Sequence, residues 1–80
     1  MALGGRVPRV TLLSKPGCHL CDDARGALER LGVAFDERDV TADDALYDEY
    51  GDRIPVVLLD GREHSYWNVD EPRLRRDLGL

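Results

Sequence analysis

Val10-Thr11-Leu12-Leu13-Ser14-Lys15-Pro16-Gly17-Cys18-His19-Leu20-Cys21 decides how this chain folds. Val7 to Leu13 is rich in β-branched and aliphatic residues, and Ser14-Lys15-Pro16-Gly17 interrupts it, which predicts a strand followed by a loop. From His19 to Leu31 the apolar residues Leu20, Ala24, Ala27, Leu28 and Leu31 recur at three- and four-residue steps. That is the period of an amphipathic helix, with Gly32 as its C-terminal stop. The only two cysteines therefore fall at the mouth of a helix, three positions apart. A pair so placed can close a disulfide across one turn, and the helix N-terminus stabilises a thiolate at the first position. Asp22 and Asp23 follow in the first turn and oppose that thiolate.

Downstream, Val33 to Val40 reads as a second strand, with Val33, Phe35 and Val40 apolar among acidic neighbours. Thr41 is placed to cap a helix over Ala42 to Tyr50, with Ala45, Leu46 and Tyr50 facing inward and Gly51 ending it. Ile54 to Leu59 is a continuous apolar run, as in a strand covered on both faces. Asp60-Gly61 is a strong hairpin signal, with Arg62 to Trp67 as the returning strand. Tyr66 and Trp67 would alternate faces there, one packing the core. Asp70-Glu71-Pro72 opens a last helix with Leu74 and Leu78 inward, and Arg73, Arg75 and Arg76 offset its negative end. The predicted fold class is α/β, a four-stranded mixed sheet with three helices in the order β-α-β-α-β-β-α. Residues 1–80 are expected to form one domain.

Composition narrows the function. Apolar residues make up 42% and charged residues 34% of the 80, which fits a folded chain with a solvated surface. Sixteen acidic against eleven basic side chains give a net charge of −5, which argues against nucleic-acid binding. No run reaches membrane-spanning or signal-peptide length, so no membrane association and a cytoplasmic location are expected. In a reducing compartment a lone C-x-x-C is more naturally catalytic or metal-binding than structural. Zinc needs four ligands, and the nitrogen and sulfur candidates are only Cys18, His19, Cys21 and His64. Adjacent Cys18 and His19 would both have to reach one ion, so no metal is assigned. His64 reads as a surface strand residue, and Asp36-Glu37-Arg38-Asp39 as a solvated edge.

Lys15-Pro16-Gly17-Cys18-His19-Leu20-Cys21 after the first strand, Ile54-Pro55 at the start of the third, and the Asp60-Gly61 hairpin together resemble the glutaredoxin branch of the thioredoxin superfamily. The resemblance is to its small glutaredoxin-like proteins whose first strand runs into Lys-Pro-x-Cys-x-x-Cys. The resemblance implies the thioredoxin/glutaredoxin fold and a role in cell redox homeostasis. It implies Cys18 as the exposed nucleophile and Cys21 as the buried resolving thiol of a thiol–disulfide oxidoreductase. Ile54 and a cis Pro55 would face the disulfide and bind substrate. Lys15 would lie near the thiolate and any glutathione carboxylate, and His19 would join the substrate-binding set.

The chain departs from the family pattern in three places, one of them Asp22-Asp23, which stands where a basic residue commonly follows the second cysteine, with Arg25 only later. His19-Leu20 stands where Pro-Tyr is common, and Tyr66-Trp67-Asn68-Val69-Asp70 replaces the Gly-Gly-x-x-Asp segment that holds glutathione's γ-glutamyl end. Expected partners are a disulfide-containing protein or glutathione, with electrons from glutathione or from a reductase of the thioredoxin or glutathione system. The protein is expected to be a monomer that requires no cofactor. The alternatives from other classes are a [2Fe–2S]-binding module and a non-catalytic redox adaptor on the same fold.

Overall fold

The computed structural model describes residues 8–80, so Val7, the expected start of the first strand, lies outside the described residues. Strand β1 runs Val10–Ser14, helix α1 His19–Leu31, β2 Phe35–Asp39, α2 Asp44–Tyr50, β3 Val56–Leu59, β4 Arg62–Tyr66 and α3 Glu71–Leu78. The strands form one mixed sheet in the order β2-β1-β3-β4. β1 pairs parallel with β2 and antiparallel with β3, and β3 pairs antiparallel with β4. This is the α/β architecture the sequence predicts.

Helix α1 begins and ends where its pattern says. Cys18 caps the first turn, and Gly32 stops the helix in the left-handed conformation at φ 73°, its N–H reaching back to the carbonyls of Leu28 and Glu29. A side chain there would be strained, which is why glycine serves. Asp60 (φ 54°) and Gly61 (φ 84°) are both left-handed, as a two-residue hairpin turn between twisted strands demands.

Because successive strand residues point to opposite faces, the sheet carries two apolar layers. Val10, Leu12 and Val57 pack with Ala24 and Leu28 of α1 and Leu74 of α3. Leu13 and Val56 pack with Val40, Ile54 and Cys21 on the other side, with Leu46 and Tyr50 of α2 laid over them. The inward placement of Leu74 and Leu78 on α3 is observed.

Several expectations need correction. The strand at Val33 to Val40 is shorter, because Val40–Ala42 forms a single 3-10 turn after β2. Thr41 is not a cap. Asp39 accepts both its N–H (2.8 Å) and its hydroxyl (2.6 Å), and Asp43 caps α2 by accepting the Leu46 N–H at 3.1 Å. A carboxylate is as good a cap as a hydroxyl, and two aspartates were available. Ala45 is exposed, and only Leu46 and Tyr50 reach the core. Ser14 belongs to β1 rather than the loop, and Ile54-Pro55 precedes β3 rather than opening it.

At the far end of the sheet, Trp67 lies outside β4 in the left-handed region at φ 69°. Neither Tyr66 nor Trp67 packs the core. Both are exposed and meet edge-to-face with ring centroids 5.1 Å apart. His64 is no surface residue. Its side chain is 5% exposed and its Nε2 lies 2.9 Å from Asp77 of α3. Arg73 does not serve the helix's C-terminal end, since it bonds the Asp70 cap and the His64 carbonyl at the N-terminal end. Arg75 and Arg76 do stand in the last turn.

Candidate active site

β1 delivers the chain to the end of the sheet, where Gly17 (φ 72°) turns it into α1. Cys18 occupies the N-cap with extended backbone (φ −101°, ψ 109°). Its Sγ accepts the Cys21 N–H at 3.1 Å, and its carbonyl accepts the Asp22 N–H at 3.2 Å. Cys18 and Cys21 are joined in a disulfide, with Cα atoms 5.2 Å apart. The two sulfurs differ in access. Cys21 is 1% exposed and sits among Leu13, Val40, Ile54 and Val56, whereas Cys18 is half-buried at the rim of that cluster. Once the disulfide opens, the helix-terminal N–H groups favour negative charge on the outer sulfur.

The acidic first turn is not left to itself. Arg25 donates to Asp22 at 2.8 Å and grips Glu37 of β2 through two bonds of 2.7 and 2.6 Å. The buried Ser14 hydroxyl donates to the same Glu37 at 2.8 Å. Arg25 and then Ser14 hold the Glu37 carboxyl below its ordinary value, against partial burial, and the two carboxylates raise the Arg25 guanidinium above its own. This network ties β1, β2 and α1 together just below Cys18 and offsets the charge of Asp22. In the sequence Ser14 looks like a loop residue, Arg25 a basic residue set late in its helix, and Glu37 part of a solvated edge. Only the parallel β1–β2 register brings residues 14, 25 and 37 together.

The other expected site residues divide in two. Ile54 is buried in the cluster that holds Cys21, and the Ile54–Pro55 bond is cis. The Pro55 carbonyl accepts the Trp67 N–H at 2.7 Å, which joins this loop to the β4–α3 connection. Lys15 and His19 are exposed, and among the described residues neither makes a side-chain hydrogen bond or ion pair. A groove of about 200 Å³ runs along α1 from Leu20, next to Cys21, to Arg30, facing Trp67 to Val69. Trp67 was singled out in the sequence, but Leu20 was seen only as a helix-face residue.

A dithiol pair across the first turn of a helix, at the end of a four-stranded mixed sheet with three helices, defines a thioredoxin-superfamily protein with a redox function. The chain belongs to the glutaredoxin-like domain family (DUF836), whose model matches residues 9–79. A protein of Mycobacterium tuberculosis whose name is given only as uncharacterized is 48% identical over 80 residues, covering 89% of this chain and 82% of its own. A structural-genomics target protein from X. campestris is similar at 42% identity and TM-score 0.73, covering 88% of this chain and 95% of that one. The holo form of glutaredoxin C1 from populus tremula x tremuloides shares the fold at 20% identity and TM-score 0.65, over 90% of this chain and 73% of that one. Among the described residues, no helix is long and apolar enough to cross a membrane.

Proposed function

We propose that this protein is a cytoplasmic thiol–disulfide oxidoreductase that works through a dithiol cycle. The observation that carries the reading is the asymmetry of the pair: a half-buried Cys18 at a helix N-cap above a fully buried Cys21. The Cys18 thiolate attacks a substrate disulfide, forming a mixed disulfide and releasing the first substrate thiolate. The Cys21 thiolate then attacks the Cys18 sulfur, breaking the mixed disulfide and releasing the second. Two electrons pass to the substrate, and the protein is left with the Cys18–Cys21 disulfide. Two glutathione thiols, or a reductase of the thioredoxin or glutathione system, return them. In this reading Ile54 and Pro55 bind the substrate at the reactive pair, and Lys15 and His19 complete the binding set. No metal or organic cofactor takes part in these steps.

Redox titration in glutathione buffers, with thiols trapped by an alkylator and mapped by peptide mass, tests the reading. A clean two-electron Cys18–Cys21 disulfide is expected. A stable glutathione adduct on Cys18, or thiols that stay free, would overturn the dithiol cycle.

A further inference from the structure

Leu20, Tyr66 and Trp67 are 51%, 47% and 55% exposed; Tyr66 meets Trp67 edge-to-face, and Trp67 shares a groove with Leu20, the residue just before Cys21. Trp67 carries a cost of its own. A non-glycine residue is disfavoured in the left-handed region, yet Trp67 is held at φ 69° with its N–H bonded to the Pro55 carbonyl. Strain of this kind persists where the surrounding structure enforces it, and here it presents an aromatic side chain across a groove from Leu20, the residue just before Cys21. The groove that Trp67 shares with Leu20 is apolar along its floor, through Ala24, Ala27 and Val69.

Charge specifies the occupant further. Arg30 is the groove's cation, and Glu71 engages it at 3.7 Å. On the same α1 wall, Asp23 makes no ion pair among the described residues and so is the groove's unopposed charge. Glutathione, with two carboxylates and one ammonium group, meets no free cation in this groove. A polypeptide with an apolar side chain next to its cysteine and a lysine or arginine beyond it meets Trp67, Leu20 and Asp23 in complementary order.

Taking the dithiol cycle as given, we propose that this groove docks an extended, apolar and basic stretch of a disulfide-bonded polypeptide. Leu20, Trp67 and Asp23 select that stretch over glutathione. The chemistry is unchanged: a Cys18–cysteine bond forms to the docked strand as the partner's own disulfide breaks.

The full chain, reduced beforehand, is given glutathione disulfide or a disulfide-linked peptide containing Leu-Cys-Lys, and loss of its free thiols is timed by alkylation and mass. Wild type is expected to react with the peptide at least about tenfold faster in kcat/KM, equivalent to about 1.4 kcal/mol. Trp67→Gly, which relieves the left-handed strain while removing the ring, and Leu20→Ser should each lower the peptide-to-glutathione ratio several-fold. Asp23→Lys, a change on an exposed side chain, should shift preference toward a Leu-Cys-Glu peptide. Ratios that stay at the wild-type value in all three variants would overturn the docking assignment while leaving the dithiol cycle standing. If wild type reduces neither substrate, the cycle falls and the docking assignment with it.

Discussion

On one face of the sheet, Val10, Leu12 and Val57 lie under two helices, α1 and α3, which supply the fully buried Leu28 and Leu74. On the other face, Leu13, Val40 and Val56 lie under α2, a seven-residue helix that buries no residue completely. Cys21 belongs to this second, thinner layer. The most deeply helix-covered packing and the cysteine pair thus fall in two different clusters, and Cys21 reaches the second from the first turn of α1.

Leu28→Ala should produce the largest loss, about 2–5 kcal/mol in urea unfolding, because a fully enclosed side chain leaves a cavity that two packed helices cannot close. Reducing the disulfide should cost about 2 kcal/mol or less, since a bridge between residues three apart restrains little of the unfolded chain. A shift in the urea midpoint with dithiothreitol reads this, and a loss rivalling that of Leu28→Ala would mean the thin face is carrying the fold. Leu46→Ala should cost only about 1 kcal/mol, as its side chain is partly buried and its helix can settle. Equal losses for Leu28→Ala and Leu46→Ala would break the comparison outright.

The smallest effect concerns the network below Cys18. The Glu37 carboxyl is held low in the folded protein, so its contribution is present above the ordinary glutamate range, near 4.5, and fades as pH falls through the depressed value. Glu37→Gln should cost less than about 1 kcal/mol at pH 7, the scale of partly exposed ion pairs. The variant should also lose less stability than wild type on acidification to pH 3. Parallel losses for the two proteins would show that the network does not hold β2 against α1.

Much of this was legible in the chain because local signals agreed with the fold. Helix α1 has a cap, an apolar period and a glycine stop, and all three mark the same boundaries. Asp60-Gly61 names its own turn, and the cysteine spacing names the disulfide. What the sequence hid depends on partners distant along the chain. His64 looks like a surface residue until Asp77 arrives from α3, and Arg73 looks like a dipole partner until the His64 carbonyl comes within its reach. Thr41 looks like the cap of α2 until the 3-10 turn carries the chain on to Asp43 before that helix begins. Trp67 leaves the strand alternation because its N–H is taken by Pro55 rather than by a strand neighbour. At the site, the cysteines were visible at once, whereas Ser14, Arg25 and Glu37 become a unit only when β1 and β2 lie side by side.

Strand β2 forms one outer edge of the sheet, and its four residues after Phe35 are Asp36, Glu37, Arg38 and Asp39. An uncapped sheet edge is an open template on which another chain can add strands without limit. Here any copy attempting to zip onto that margin in parallel meets its own carboxylates stacked against it. Charge along β2 therefore disfavours strand addition at this edge, most strongly at neutral pH and low salt.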